Sequence, residues 1–261
     1  MQMKRKTYDA SHPSAGKELG QEYDPLFFED HAAGSRNSAA VVVPLINKLV
    51  QPKSVLDVGC GVGTWLSQWA DQGVTDLLGL DGDYVDRAAL QIPASNFRSV
   101  DLQSSFSLGR QFDLVESLEV AEHLDESCAD SFVRSLANHA DTVLFSAAIP
   151  GQGGRHHVHE QWPSYWVPIF SRYGLEVFDI IRPVIWTDRR IEYWYRQNIL
   201  VFSKRTDFNG CDTLLDVVHP DYWEARIYGP LTLRQSLSSL PGAVTSAVRN
   251  RLLSARKRRS D

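Results

Sequence analysis

Between residues 54 and 203 short apolar runs alternate with stretches of helical character. Ser54-Val55-Leu56-Asp57-Val58 predicts a buried strand, and Thr64 to Asp71 predicts a helix behind it. Leu77 to Asp81 predicts the second strand, Phe97 to Val100 a weaker third, Phe112 to Glu116 the fourth, and Thr142 to Ala148 the fifth. Asp125 to His139 predicts a helix between the last two, its first turn carrying the acids Asp125 and Glu126 that suit a helix N-terminus. Beyond the glycine-rich turn Pro150–Gly154, a helix over Pro163–Tyr173 precedes strands at Leu175–Ile180 and Asn198–Ser203. Strand and helix in alternation predict an α/β fold, a Rossmann-like seven-stranded mixed sheet flanked by helices. Three segments follow: a helical lead-in or lid at 1–53, a ligand-binding core at 54–205, and a less regular C-terminal extension at 206–261 holding an amphipathic stretch, Val244–Leu253, and a basic tail.

Composition narrows the function classes. A hydrophobic share of 43% with 23% charged residues supports a full core and excludes extended disorder for most of the chain. No apolar run reaches ~18 residues, so no spanning helix is expected. The segment Met1–Tyr8 is basic without an apolar stretch behind it, which does not read as a secretory signal. Cys60, Cys128 and Cys211 are far apart and odd in number. They form neither a disulfide framework nor a zinc knuckle, and fit a cytoplasmic location. Six basic residues from Arg249 to Arg259 against Asp261 give the tail +5, so the rest of the chain carries −10 of the net −5. An acidic body disfavours a nucleic-acid track. The basic tail could contact phosphates or a membrane surface, and a solvated tail or a partner helix are alternatives.

The candidate chemistry begins at Asp57-Val58-Gly59-Cys60-Gly61-Val62-Gly63, an acid at a strand end followed by G-x-G-x-G into a helix. The glycines permit a sharp turn and close backbone approach to a ligand. Asp57 would repel a pyrophosphate but attract an ammonium, which favours a cationic ligand over a dinucleotide. Asp81 ends the second strand, where a carboxylate can accept both hydroxyls of a ribose. Asp101-Leu102, after the third strand, is placed to meet an adenine edge and face.

The order D-V-G-C-G-V-G, L-G-L-D, V-D-L, F-D-L-V-E-S-L-E-V resembles class I methyltransferases that use S-adenosylmethionine, over roughly Val55 to Ser203. That resemblance implies a cofactor set of Asp57, Gly59, Gly61, Gly63, Asp81, Gly82, Asp101, Leu102 and Leu118. A dinucleotide oxidoreductase and a non-catalytic cofactor-binding subunit are the alternatives.

Glu119-Val120-Ala121-Glu122-His123 follows the fourth strand. If helical, it would put Glu119 on one side with Glu122 and His123. Arg155-His156-His157-Val158-His159-Glu160-Gln161-Trp162 follows the fifth strand, at the same sheet edge. Two glutamates and one or two histidines converging there could hold a divalent ion with open positions for substrate oxygens. The arrangement is similar to metal-dependent enzymes that methylate the terminal 2′-hydroxyl of small RNAs. The resemblance implies Glu119, Glu122, His123 and His157 as ligands of Mg²⁺, or of Mn²⁺. An extra residue before Trp162 leaves His159 open as the fourth ligand. His157, His159 and Glu160 are the catalytic candidates, a histidine accepting the acceptor's proton if it is not a ligand. A solvated acidic turn and a metal-free base are the competing readings.

The run from Pro150 to Trp166, with Trp194-Tyr195-Arg196-Gln197-Asn198, resembles bacterial methyltransferases of glycan and natural-product pathways. It implies O-methylation of a small-molecule or glycan substrate. Trp162, Tyr165, Trp166, Trp186, Tyr193, Trp194 and Tyr195 could supply an aromatic wall for a sugar ring, or could be packing residues. An RNA ribose methyltransferase and a metal-free enzyme acting on aromatic hydroxyls are rivals. Tyr23 and Arg36 in the lead-in are further candidates for contact.

Overall fold

A computed structural model describes residues 25–208 and 215–228, with side chains described for 34–208 and 215–224. Seven strands form one sheet: β1 (Ser54–Val58), β2 (Asp76–Asp81), β3 (Phe97–Ser99), β4 (Leu114–Leu118), β5 (Thr142–Ser146), β6 (Glu176–Phe178) and β7 (Leu200–Ser203). Their order is β3-β2-β1-β4-β5-β7-β6. β1 to β5 are parallel to one another, while β7 is antiparallel to both β5 and β6. The order in which strands are laid down reverses between β1 and β4, so the carboxyl ends of these parallel strands open a crevice at the switch point.

Seven α-helices are described: α1 (Pro25–Val50), α2 (Thr64–Asp71), α3 (Ala129–Ala137), α4 (Pro163–Ser171), α5 (Arg182–Ile185), α6 (Tyr193–Asn198) and α7 (Pro220–Tyr228). One core joins the sheet to α3 and α4 through Phe132, Leu136, Phe145, Trp166, Phe170 and Phe202, all buried. The other joins it to α1, α2 and α6 through Val42, Ile46, Leu66, Trp69, Leu144 and Tyr195. Strands buried on both faces explain the near-continuous apolar runs.

The first strand and first core helix lie where the sequence predicts them. The fourth strand does not: it starts two residues later, at Leu114, and runs to Leu118. Asp113 bends instead to accept hydrogen bonds from the backbone amides of Lys53 and Ser54, at 2.8 and 3.0 Å, and pins the start of β1. The expected helix over Asp125–His139 divides into a 3-10 turn, Glu126–Cys128, and α3. The fifth strand stops at Ser146 and the last two strands are shorter than predicted.

The lead-in docks on the core through α1. Ser35 Oγ lies 3.2 Å from the Tyr195 hydroxyl, and the Glu192 amide donates to Ser38 Oγ at 3.0 Å. Part of the extension docks too: Asp216 accepts from Ser164, and Asp221 pairs with Arg196 at 2.7 Å. Tyr23, Cys211, the Val244–Leu253 stretch and the basic tail lie outside the described residues. Among the described residues no helix is long and apolar enough to cross a membrane.

Candidate active site

The glycine turn is bolted to the second strand. Gly59 and Cys60 donate their amides to the Leu80 carbonyl at 2.7 and 3.1 Å, and Gly63 caps α2 in the left-handed region, φ 81°. Gly59 has φ 88°, and a Cβ there would overlap Val120. No other residue type fits both conditions. Asp81 closes the turn from the other side: its Oδ2 accepts from the Gly61 amide at 2.6 Å, and its Oδ1 from the Gly82 amide at 2.6 Å. The turn and the expected ribose acid are therefore one hydrogen-bonded unit.

Asp57 is 4% exposed beneath that turn. Burial, then Glu116 and Asp81, push its carboxyl well above the usual carboxylate range. Glu116 is the in-register neighbour of Asp57 on β4 and is fully buried. Its Oε2 accepts from the Trp69 indole at 2.9 Å, and burial pushes its carboxyl up to about 8. Two acids side by side without a cationic partner among the described residues produce a region ready for positive charge. Leu118 and Leu102 are buried at the strand exits. Asp101 is exposed and its carboxylate faces its own turn, accepting from Gln103 N at 3.0 Å and Ser104 Oγ at 2.9 Å.

At the β4 exit the structure departs from the helical expectation. Glu119 is left-handed, φ 57°, and only Ala121–His123 forms a 3-10 turn. The helical i, i+3, i+4 geometry is therefore absent. Asn198 donates to Glu119 Oε1 at 3.0 Å and Gln152 to Oε2 at 2.8 Å, while Asn198 also donates to Gln152 Oε1 at 2.9 Å. Burial raises the Glu119 carboxyl, and these amides act against it.

Glu122, His123 and His157 do come together, with one ligand atom of each within 4.8 Å of the others. Glu119, the fourth implied ligand, stands outside that group, held by its two amides. Glu122 is fully buried, and neither carboxylate oxygen has a hydrogen-bond partner among the described residues. Burial and then Glu119 push its carboxyl well above the usual range. Desolvation of the ring and the neighbouring His157 lower the pKa of His123, which favours the neutral, ligating form. The two imidazoles cross edge to face at 4.8 Å.

Glu160 organises this cluster from behind. It accepts from the amides of Gly151 and Gly153 at 2.7 and 2.6 Å, and lies 3.0 Å from His157 Nδ1. A carboxylate on one imidazole nitrogen orients the other, the arrangement common behind metal-bound histidines. The Glu160 carboxylate is thus engaged by the loop amides and by His157. His159 lies apart from the cluster. It is 4% exposed, lies 5.2 and 5.4 Å from the rings of Tyr165 and Trp166, and stands outside the three-residue cluster. Its amide and that of Val158 donate to the Glu122 carbonyl at 3.0 and 2.9 Å, which is how the loop brings His157 to Glu122.

Of the expected aromatic wall, Trp166 and Tyr195 are core residues, while Tyr193 and Trp194 remain partly exposed. Arg36 donates to Gln91 Oε1 at 2.7 Å, tying α1 to the loop after β2. Gln152 and Tyr84 are the site residues the sequence reading missed, and Asn198 was named there only as part of a motif. Their contacts span long sequence separations or depend on a turn, and carry no local pattern.

Comparison with known proteins agrees with this architecture. A family model described as a methyltransferase domain matches residues 32–176. No curated protein sequence matches the chain. The sugar N-methyltransferase KedS8 from a Streptoalloteichus species is similar at 19% identity, over 76% of this chain and 99% of its own, with a TM-score of 0.54. DesVI from Streptomyces venezuelae is 18% identical over 71% of this chain and 100% of its own, TM-score 0.52. The amino pentose methyltransferase CalS10 from Micromonospora echinaspora is 15% identical over 72% and 100%, TM-score 0.51. Such likenesses establish a shared fold, and the family match extends over more than half of the chain, so this protein belongs to the methyltransferase-domain family, with the class I architecture its glycine turn and strand order had implied.

Proposed function

We infer that this methyltransferase moves the methyl group of S-adenosylmethionine to a hydroxyl of a sugar-containing small molecule or glycan, assisted by a divalent cation. The observation that carries the reading is the Glu122, His123 and His157 cluster, built around a buried carboxylate that no cationic side chain pairs among the described residues. A buried charge without a partner is costly, and a cation relieves that cost. The donor set, one carboxylate and two imidazoles, suits Mn²⁺ or Mg²⁺ among hard and borderline ions. When bound, such an ion makes a hydroxyl more acidic and grips neighbouring sugar oxygens.

The chain's own residues do the rest. Asp57, with the glycine turn, would receive the cofactor's ammonium and methionine portion, and Asp81 its ribose. Glu160 keeps the His157 ring turned toward Glu122. Gln152 and Asn198 hold Glu119 at the β4 exit, beside the place where donor and acceptor must meet in line. Tyr193 and Trp194, partly exposed at the start of the helix that ends in Asn198, are the aromatic candidates for a sugar ring.

The test is incorporation of labelled methyl from S-adenosylmethionine into three acceptor sets: free and nucleotide-linked sugars, aromatic alcohols, and single-stranded RNA. The reading expects labelled sugar, lost with a chelator and restored by Mn²⁺ or Mg²⁺. Label in the aromatic set that survives the chelator, or label in RNA, would replace it.

A further inference from the structure

Asp81 carries more hydrogen bonds than the holding of its turn requires. Besides the amides of Gly61 and Gly82, its Oδ1 accepts from the Tyr84 hydroxyl at 2.5 Å. A carboxylate offers about four acceptor sites, two on each oxygen. Oδ1 is therefore full and Oδ2 has one site left. A vicinal diol held in bidentate fashion needs one site on each oxygen. The phenol occupies the place that the second hydroxyl would take.

The setting of Tyr84 suits a group meant to leave. The residue is 82% exposed, although its hydroxyl is tucked against a carboxylate in a residue only 4% exposed. Its ring lies directly over Gly82, where a Cβ would overlap three ring atoms. A side chain at position 82 would thus forbid this pose. Rotation of the ring away from Asp81 uncovers little apolar surface, because most of it already faces water. What is lost is one charge-assisted hydrogen bond, and an incoming hydroxyl replaces it in kind.

We propose that the Tyr84 hydroxyl stands in for a ribose hydroxyl on Asp81, and that a nucleoside ligand with vicinal hydroxyls displaces it on binding. The proposal rests on the cofactor reading above and adds a competing residue within the chain. The stand-in keeps the Asp81 carboxylate satisfied when no ligand is present. It also narrows the difference in affinity between a diol and a single hydroxyl, since only a diol has to displace the tyrosine.

The experiment is calorimetric titration of the full chain with S-adenosylhomocysteine and with its 2′-deoxy and 3′-deoxy analogues, for the parent protein and Tyr84→Phe. Position 84 is exposed, so the variant keeps its fold. Removal of the competitor should tighten S-adenosylhomocysteine binding about 2- to 10-fold, the equivalent of one net hydrogen bond. Loss of one of the two ribose hydroxyls should cost about 3-fold or more extra in Tyr84→Phe than in the parent, because in the parent the phenol refills the site. Equal or weaker binding by Tyr84→Phe, or the same penalty in both proteins, overturns the proposal and leaves the cofactor reading standing. Failure of the parent protein to bind S-adenosylhomocysteine overturns both.

Discussion

Substitution of Glu116 by glutamine should make the protein more stable at neutral pH, although it removes an acid from the heart of the sheet. Glu116 is fully buried, and among the described residues its carboxyl has one hydrogen bond, from the Trp69 indole to Oε2. Burial raises its carboxyl from the usual 4.5 to about 8. The sign follows from proton counting. Between those two values the folded chain holds a proton that the unfolded chain has released, so stability falls as pH rises. The contribution of the neutral acid is complete below 4.5, declines by about 1.4 kcal/mol per pH unit, and levels off above about 8. By pH 7 the loss is on the order of 3 kcal/mol, an upper figure for a pair in which the adjacent Asp57 also resists ionisation. Glutamine keeps the acceptor for Trp69 and cannot ionise. Urea unfolding followed by tryptophan fluorescence at pH 5, 6, 7 and 8 should find the variant close to the parent at pH 5 and progressively more stable above it. The remaining slope would belong to the other buried acids, Asp57, Glu119 and Glu122. A variant less stable at every pH, or one with the parent's full slope, would refute the idea that Glu116 is neutral in the fold.

Three other substitutions test the site. Gly59→Ala places a Cβ on Val120 at a φ of 88° and should abolish binding of S-adenosylhomocysteine, with a fall in midpoint temperature readable by calorimetry. Glu160→Ala removes the acceptor for two loop amides and for His157, so Mn²⁺ affinity by titration should fall about 10- to 100-fold while S-adenosylhomocysteine affinity stays near that of the parent. Glu122→Gln should also weaken Mn²⁺ binding, but should raise stability in the metal-free protein at pH 8, because a buried carboxylate whose pKa is raised resists ionisation there; denaturation with a chelator present checks this.

Elements with one-sided chemistry were legible in the sequence. Ser54–Val58 is buried from Val55 onward and reads as an apolar run, and the glycines at 59, 61 and 63 all have positive φ. The fourth strand was misplaced because its polar residues are the buried ones. Glu116 and Ser117 look like a strand end, yet both are fully buried, and Ser117 Oγ donates to the Val58 carbonyl at 2.8 Å. Asp113, which looks like the middle of a strand, is the residue that turns aside. At the β4 exit, the E-x-x-E-H string suggested helical spacing, but the left-handed Glu119 breaks that spacing before it starts. Glu122 and His123 of that string nevertheless come together, with His157. Whether His157 or His159 joins them depends on which ring turns into the aromatic cluster of α4, and spacing alone could not choose. Gln152 and Asn198 escaped because their contacts with Glu119 span 33 and 79 residues.

One short helix joins these parts, and its role is open to test. Successive residues of α6 point about 100° apart, so four in a row can address four directions. Tyr195 meets Ser35 of α1, Arg196 pairs with Asp221, Gln197 holds the backbone at Val217 and His219, and Asn198 holds Glu119. Gln197 is the most informative to change. Its amide donates to the Val217 carbonyl at 2.5 Å and its oxygen accepts from the His219 amide, all within a buried side chain. Gln197→Ala strands one donor and one acceptor of the backbone, each worth about 1–3 kcal/mol when buried and unpaired. The segment from Leu215 to Tyr222 would keep its contacts with Arg182, Ser164, Arg196 and Trp186 but lose its one buried backbone clamp from α6. The expected result is a stability loss of about 2–5 kcal/mol, with new protease cleavage near residues 215–219 ahead of any cleavage in the sheet. Tyr222 lies beside Gly151, next to the Gln152 that holds Glu119. Release of the segment should therefore lower methyl transfer to the acceptor while leaving S-adenosylhomocysteine affinity unchanged. If cleavage and transfer stay at parental levels despite the lost stability, α6 is merely packing and does not join the C-terminal segment to the site.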